Sequence, residues 1–278
     1  MSTEPLLRLE AISKRFGAVQ ALTEVDFDVA RGEVVALVGD NGAGKSTLIK
    51  VVSGIFRADS GRFWFDGVEH HLQSPAAATG LGISTVYQDL ALCDNLDVVA
   101  NLYLGRESVT TSRLIDEPNL ERDATILLRR LAVSIPDVRT PVASLSGGQR
   151  QSVAVARATI GEPKLVILDE PTAALGVPQT MQVLNLIRRL RDQGLAVIVI
   201  SHNLIDVFAV ADRIAVLRLG RMVANYRAAD SSGEQVVAAM TGAFDTGQIE
   251  QVMSESGPVD LELPVDVVPT GPPDGGES

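Results

Sequence analysis

Three apolar runs of four or five residues stand out along the chain: Val34–Val38, Leu165–Leu168 and Ala196–Ile200. None alternates with polar positions, so each predicts a strand buried on both faces rather than one facing water. Each run leads into a segment of helical character, after Gly44, after Val177 and after His202 respectively. Strand followed by helix, repeated in this way, predicts an α/β fold with a mostly parallel core sheet. Four further β-like pieces, Leu6–Ile12, Glu24–Val29, Arg62–Phe65 and Arg213–Leu219, predict an antiparallel β flank. Between Asp89 and Ser144 the pattern turns helical, with Leu120, Ala124, Leu127, Leu128 and Leu131 at helical spacing. That change predicts an inserted helical subdomain over about 89–144, as against ordinary crossover helices. No internal repeat is visible.

Length and composition sharpen this outline. A chain of 278 residues is long enough to bury a sizeable core. Its 46% hydrophobic and 21% charged content is that of a soluble globular protein. The net charge of −11 is uneven, because residues 245–278 hold eight Asp or Glu and no Lys or Arg. The rest carries only −3, so nothing in it advertises nucleic-acid binding. With its five prolines, the segment 243–278 is expected to be a disordered acidic tail behind a domain spanning 1–242. Within the tail, VDLELPVDVV alternates enough for a strand or a docking peptide. The single cysteine, Cys93, excludes an intrachain disulfide framework and any CxxC metal site. MSTEPLLRLE lacks the basic-then-apolar order of a secretory signal, and no uncharged apolar run approaches a bilayer span. A cytoplasmic protein is expected, one that reaches a membrane only through a partner.

The first stretch carrying chemistry is GDNGAGKST at 39–47, which fits G-x-x-x-x-G-K-[ST] directly after a buried strand and before a helix. Gly39, Gly42 and Gly44 let the backbone come close to phosphate groups, with Asn41 and Ala43 in the same loop. Lys45 is placed to reach β- and γ-phosphates, Ser46 to coordinate Mg²⁺, and Thr47 to add a phosphate hydrogen bond. The helix N-terminus supplies further positive potential. ATP or GTP binding is the expectation.

The second stretch is ILDEPTAALG at 167–176. Its apolar start puts Asp169 at the carboxyl end of a strand, where ligands of open α/β sheets bind. A strand-end Asp is the expected Mg²⁺ partner of a phosphate-binding loop, acting through water or Ser46. Glu170, one residue on, is then free to orient or deprotonate the attacking water. His202 closes AVIVISH at another strand end and is expected to contact the γ-phosphate, although a lone His is more often structural. His70 and His71 have no such neighbours and are read as surface.

LSGGQ at 145–149 opens another helix, with Ser146 as its N-cap. Gly147 and Gly148 expose further N–H groups, a second anion site on one chain. One triphosphate does not easily use both sites of one chain, whereas two chains can share them. At this point a resemblance is plain. GDNGAGKST, LSGGQRQ, LVILDEPT and VIVISH, in this order and spacing, resemble the ATP-binding subunits of ABC transporters, over about Leu6 to Met240.

The resemblance implies a P-loop ATPase fold of the ABC type, ATP and Mg²⁺ as ligands, and two composite ATP sites in a homodimer. It implies that Phe16 stacks on adenine and that Gln88 touches Mg²⁺ and senses the γ-phosphate. It also places Ser146, Gly147, Gly148 and Gln149 against the partner's nucleotide. DLALCDNLDVVANLYLGRE, with Leu90, Leu92 and Leu96, would line a groove for integral-membrane permease subunits, though each leucine is as easily core. Hydrolysis would reopen the closed dimer and switch the permease, from the cytoplasmic face of the membrane.

EPTAALGV and SHNLIDVFAVADRI are similar in wording to ATPases of ribose-, xylose- and fructose-type importers, which implies an extracytoplasmic sugar-binding protein as an indirect partner. Importers of other solutes remain an alternative. Soluble repair or translation ATPases of the same type are another, disfavoured by the short 89–144 insertion and the single cassette. A regulatory subunit that barely hydrolyses ATP is a third. Where the family commonly has Ser-Ala-Leu-Asp, this chain has Ala173-Ala174-Leu175-Gly176, which predicts an active ATPase with loosely coupled sites.

Overall fold

The computed structural model describes residues 4–109 and 114–243. The expected acidic tail, including VDLELPVDVV, lies outside the described residues except for Ala243. In chain order the elements are β1 (Leu7–Phe16), β2 (Val19–Val29), β3 (Val34–Val38), α1 (Lys45–Val52), β4 (Ser60–Phe65), β5 (Val68–His70) and α2 (Pro75–Leu81). Next come β6 (Ile83–Val86), α3 (Val98–Tyr103), α4 (Glu117–Arg130), α5 (Gly147–Ala158), β7 (Leu165–Asp169) and α6 (Val177–Asp192). Last are β8 (Ala196–Ile200), α7 (Leu204–Val210), β9 (Arg213–Arg218), β10 (Arg221–Arg227) and α8 (Gly233–Thr241).

The three apolar runs become β3, β7 and β8 of a six-stranded sheet of order β10-β9-β3-β8-β7-β6. All its neighbours are parallel except the edge pair β9–β10. Successive residues of one strand face opposite sides, as the period of two requires. Val166, Leu168, Val197 and Val199 join a core formed with α3 to α6, while Leu165, Ile167, Ile198 and Ile200 face α1 and the second sheet. Burial on both faces is why these runs show no polar alternation.

The second sheet is the antiparallel flank, order β2-β1-β4-β5. One expectation is corrected here. Arg213–Leu219 does not belong to the flank; Arg213–Arg218 is β9, parallel to β3 within the core sheet. Its residues Ile214 and Val216 pack under α7 and α8, and Ala215 and Leu217 face the flank side. The other three flank pieces are strands of that sheet, longer than the apolar pattern indicated.

In the 89–144 region, Leu120, Ala124, Leu127, Leu128 and Leu131 are all buried. They share one apolar cluster with β7 and β8 and with Val153 and Val155 of α5. The helical layer therefore has no separate core. Asn101, fully buried in α3, holds the preceding loop: its Nδ2 donates to the carbonyls of Cys93, Leu96 and Asp97, and its Oδ1 accepts from the Cys93 amide.

Core and flank are joined by a charged knot. Arg213 of β9 donates to the Asp28 carboxylate of β2 at 2.9 and 3.1 Å, to the Asp28 carbonyl at 2.6 Å, and to Glu33 at 2.9 Å. Hydrogen bonds to both carboxylates hold the guanidinium charged despite its burial. Removing one member of such a group strands the others. Arg213→Ala should destabilise the fold by about 2 kcal/mol, the partial exposure of Asp28 keeping the loss below that of a fully buried pair. Urea unfolding read by tryptophan fluorescence and circular dichroism checks this; a shift of the midpoint below ~0.5 kcal/mol in free-energy terms would reduce the knot to surface decoration.

Candidate active site

β3, β8, β7 and β6 lie side by side and run parallel, so their carboxyl ends share one edge of the sheet. At or just after those ends lie Gly39–Thr47, Ser201–His202, Asp169–Glu170 and Gln88. Topology alone thus assembles four stretches that lie far apart in sequence.

The loop 39–44 is shaped by close backbone approach. A Cβ at Gly39 would fall on the carbonyl oxygen of Leu217 in β9, and one at Gly44 would lie 2.8 Å from the Ala21 carbonyl oxygen. Gly44, at φ 107°, is also the N-cap of α1, so the first amides of that helix open towards the loop. Lys45 folds back, its Nζ donating to the carbonyls of Gly39 at 2.6 Å and Asp40 at 3.0 Å. Burial lowers the Lys45 pKa, opposed by Glu170, Asp40 and Asp169 nearby. A cavity of about 440 Å³ opens on this loop, walled by Val19–Ala21, Asn41–Thr47 and Leu219–Gly220. No residue of 145–149 is among its described walls.

At the end of β7, Asp169 is half-buried, and its carboxyl pKa is raised by desolvation and by Glu170, against Lys45 and Lys50. Glu170 takes φ 50°, a left-handed conformation that non-glycine residues rarely adopt, and its amide donates to the Ile200 carbonyl of β8 at 2.9 Å. Its Oε2 lies 2.9 Å from His202 Nδ1, with the Glu170 side chain 17% and the His202 side chain 72% exposed. A left-handed residue at a strand end, with its carboxylate aimed at an imidazole, makes this corner a candidate chemical site.

Two residues absent from the sequence reading complete this corner. Thr172 Oγ1 donates to Asp206 Oδ2 at 2.7 Å, both side chains buried, tying the loop after Glu170 to α7, which follows His202. The available signals were the Thr in EPT and an Asp four residues beyond His202, neither distinctive alone.

The other anticipated residues are placed as follows. Gln88 is exposed in the turn after β6. Leu90 and Leu92 pack partly buried against the helical core. Phe16 is 41% exposed at the end of β1 and meets Phe56 edge-on at 5.1 Å between centroids. It is not among the walls of the 440 Å³ cavity; the turn at Gly17 separates it from Val19. Ser146 caps α5 in a capping box: its Oγ accepts from the Gln149 amide, and its own amide donates to Gln149 Oε1 at 3.0 Å. The Gln149 carboxamide also donates to the Ser134 carbonyl, so within one chain that side chain holds the turn. Gly147 and Gly148 seat this turn on the loop after β7 and the start of α6: Cβ atoms there would meet Leu175 at 3.2 Å and Gln179 at 2.7 Å.

A parallel sheet with a glycine-rich loop and helix N-terminus after one strand, and paired carboxylates after a neighbouring one, defines a P-loop nucleotide-binding protein. The match to known proteins narrows that class. Residues 22–173 match the family model described as ABC transporter. The xylose/arabinose import ATP-binding protein XylG of Sulfolobus acidocaldarius is 44% identical over 88% of this chain and 96% of its own length. The fructose import ATP-binding protein FrcA of Rhizobium meliloti is 44% identical over 87% and 96%. The ribose import ATP-binding protein RbsA 2 of Rhizobium etli is 41% identical over 86% of this chain, which spans 47% of that longer protein. The ADP conformation of MJ1267, an ATP-binding cassette of an ABC transporter, superimposes with a TM-score of 0.74 at 29% identity, covering 90% of this chain and 99% of that one. The chain belongs to the ABC transporter family.

Thr172→Val keeps the shape of the side chain but removes the donor to buried Asp206. It should cost about 1–2 kcal/mol in denaturant unfolding and slow ATP hydrolysis, because the loop carrying Glu170 loses its tether to α7. Unchanged stability and turnover would exclude the tether.

Proposed function

We propose that this chain, an ATPase of the ABC transporter family, powers import of a monosaccharide through a partner permease. The observation that carries the catalytic part is the Glu170–His202 pair, 2.9 Å apart at the strand edge where the phosphate-binding loop also opens. The sugar rests on the relatives, whose names specify xylose/arabinose, fructose and ribose import.

In this reading residues 1–242 are the cassette. Lys45 and the first amides of α1 bind the phosphates, which displace the Gly39 and Asp40 carbonyls as partners of Lys45. Glu170 accepts a proton from the attacking water, and His202, bonded to it through Nδ1, fixes its orientation and contacts the γ-phosphate. Phe16 stacks on the base and Gln88 senses the γ-phosphate from the β6 end.

Mg²⁺ fits this donor set. Ser46 and Gln88 offer neutral oxygens, and Asp169 is a desolvated carboxylate beside Glu170, only partly offset by Lys45 and Lys50. Among the described residues no group of three or more His, Cys, Asp or Glu could hold a metal, so phosphate oxygens would have to share the ion. When bound, it neutralises charge on the phosphates.

Ser146, Gly147, Gly148 and Gln149 serve a nucleotide held by a second copy, in keeping with their absence from this chain's own cavity walls. Two copies closing on two ATPs and reopening after hydrolysis would drive the permease. The permease would dock at a groove of about 300 Å³ whose lining includes Tyr87, Asp89, Leu90, Ala91, Arg106 and Arg157 but neither Leu92 nor Leu96. The chain would then sit at the cytoplasmic face of the membrane, with an extracytoplasmic sugar-binding protein as indirect partner. Among the described residues no helix is long and apolar enough to cross a membrane.

Glu170→Gln should bind ATP, hydrolyse it at least about a hundredfold more slowly, as loss of a general base predicts, and accumulate as an ATP-bound dimer on gel filtration. Cells producing it in place of wild type should lose uptake of labelled xylose, ribose or fructose. Wild-type hydrolysis in the variant would remove Glu170 as the base; intact uptake would remove the transport assignment. Gly176 is the N-cap of α6 and makes no side-chain cap. A Cβ there would lie 2.8 Å from Gln179 Oε1, the movable end of a flexible side chain. Gly176→Asp should therefore be accommodated, and should raise the Hill slope for ATP while leaving ATP affinity within about twofold. An unchanged slope would sink the loose-coupling idea.

A further inference from the structure

The turn joining β9 to β10 has two residues, Leu219 and Gly220, between the paired Arg218 and Arg221. Both have positive φ, 47° and 76°. That is the pattern of a type I′ hairpin, whose first position favours Asn or Asp and whose second favours Gly. Leucine at the first position places its Cβ against the following carbonyl, a conformation an L-residue adopts only at a cost. Burial does not offset that cost, since Leu219 is 77% exposed. An apolar side chain is thus held in a disfavoured backbone conformation and left in the open.

Its position supplies a reason. Leu219 stands in the wall of the 440 Å³ cavity, whose other walls are the phosphate-binding loop and Val19–Ala21. The turn is fixed there by backbone bonds: the Gly220 amide donates to the Ala43 carbonyl at 2.9 Å, and its carbonyl accepts from the Thr23 amide at 2.8 Å. A Cβ at 220 would lie 2.7 Å from the Ala21 carbonyl oxygen, so the hairpin tip sits this close to β2 only as glycine. Nine described non-glycine residues have positive φ, and Leu219 alone of these nine stands in this cavity's wall, which points to a role in the ligand's binding.

We propose that Leu219 is a nucleotide-contacting residue, its side chain forming an apolar wall against the nucleoside end of the bound nucleotide. The chemistry selects that end. Lys45 and the helix amides match the anionic phosphates, whereas a leucine side chain offers a phosphate nothing and a sugar or base an apolar surface. The proposal rests on the assignment of 39–47 as the nucleotide site.

Leu219→Asn separates the two effects of the residue. Asparagine tolerates the left-handed backbone, so the full-length variant should unfold at a higher temperature. It should nevertheless bind ATP about tenfold more weakly, equal to about 1.4 kcal/mol. Tripolyphosphate, which has no nucleoside, should bind wild type and variant alike, and Leu219→Met should keep wild-type ATP affinity. Unchanged ATP affinity in Leu219→Asn would overturn the proposal, and so would equal losses for ATP and tripolyphosphate. Lys45→Ala tests the underlying assignment separately: if it binds ATP and tripolyphosphate as wild type does, the site at 39–47 is wrong, whatever Leu219→Asn does.

Discussion

The functional edge of this molecule depends on one backbone contact, the approach of Gly39 to the carbonyl of Leu217. A side chain at 39 would occupy the place of that oxygen, so the loop leaving β3 passes β9 only as glycine. The contact fixes where the loop turns, and hence where α1 begins and where its amides point. The Ala43–Gly220 and Thr23–Gly220 hydrogen bonds extend the same constraint to the β9–β10 hairpin and to β2. With glycine at 39, 42 and 44, the loop has few side chains of its own to set its course. Its shape is set from behind, by strands that come much later in the chain.

The flank and core sheets meet the same requirement by different means. Apolar residues such as Leu22, Val25, Leu37 and Leu217 hold the two sheets together without direction. Arg213, reaching Asp28 and Glu33, adds direction: three charged groups satisfy one another in only one registry. That registry matters because β2 supplies the Val19–Ala21 wall of the cavity while β3 and α1 supply the phosphate loop.

Much of this was legible in the sequence because local rules and tertiary burial agree. The runs at 34–38, 165–168 and 196–200 are apolar without interruption, and each is a central parallel strand whose two faces are covered. The strand–loop–helix turn at 39–47 was legible because glycine spacing and an adjacent lysine have a specific mechanical meaning. What was hidden depends on partners distant in sequence. Arg213–Leu219 alternates little and carries an arginine at its start, so nothing local distinguishes a flank strand from the strand beside β3. The pairing of Thr172 with Asp206 spans 34 residues and involves two ordinary polar side chains. The strain at Glu170 and Leu219 is likewise invisible, because a sequence does not state φ.

The loop 173–176 unites these themes. It leaves the strand end that carries Glu170 and enters α6 at Gly176, where Gln179 folds back towards the missing side chain. Gly148, in the first turn of α5, is packed so closely on Gln179 that no Cβ fits between them. Within one chain, then, Leu175 and Gln179 stand between the loop that follows Glu170 and the capped turn at Ser146. If that turn addresses the nucleotide of a second copy, the hydrolytic carboxylate of one site and the anion-binding turn of the other share a single rigid joint. Such a joint is made by close packing rather than by a carboxylate at 176. Its stiffness is set by two glycines on one side and a leucine and a glutamine on the other. Coupling between sites would then survive the absence of a polar side chain in the loop, at a strength limited by what packing alone transmits.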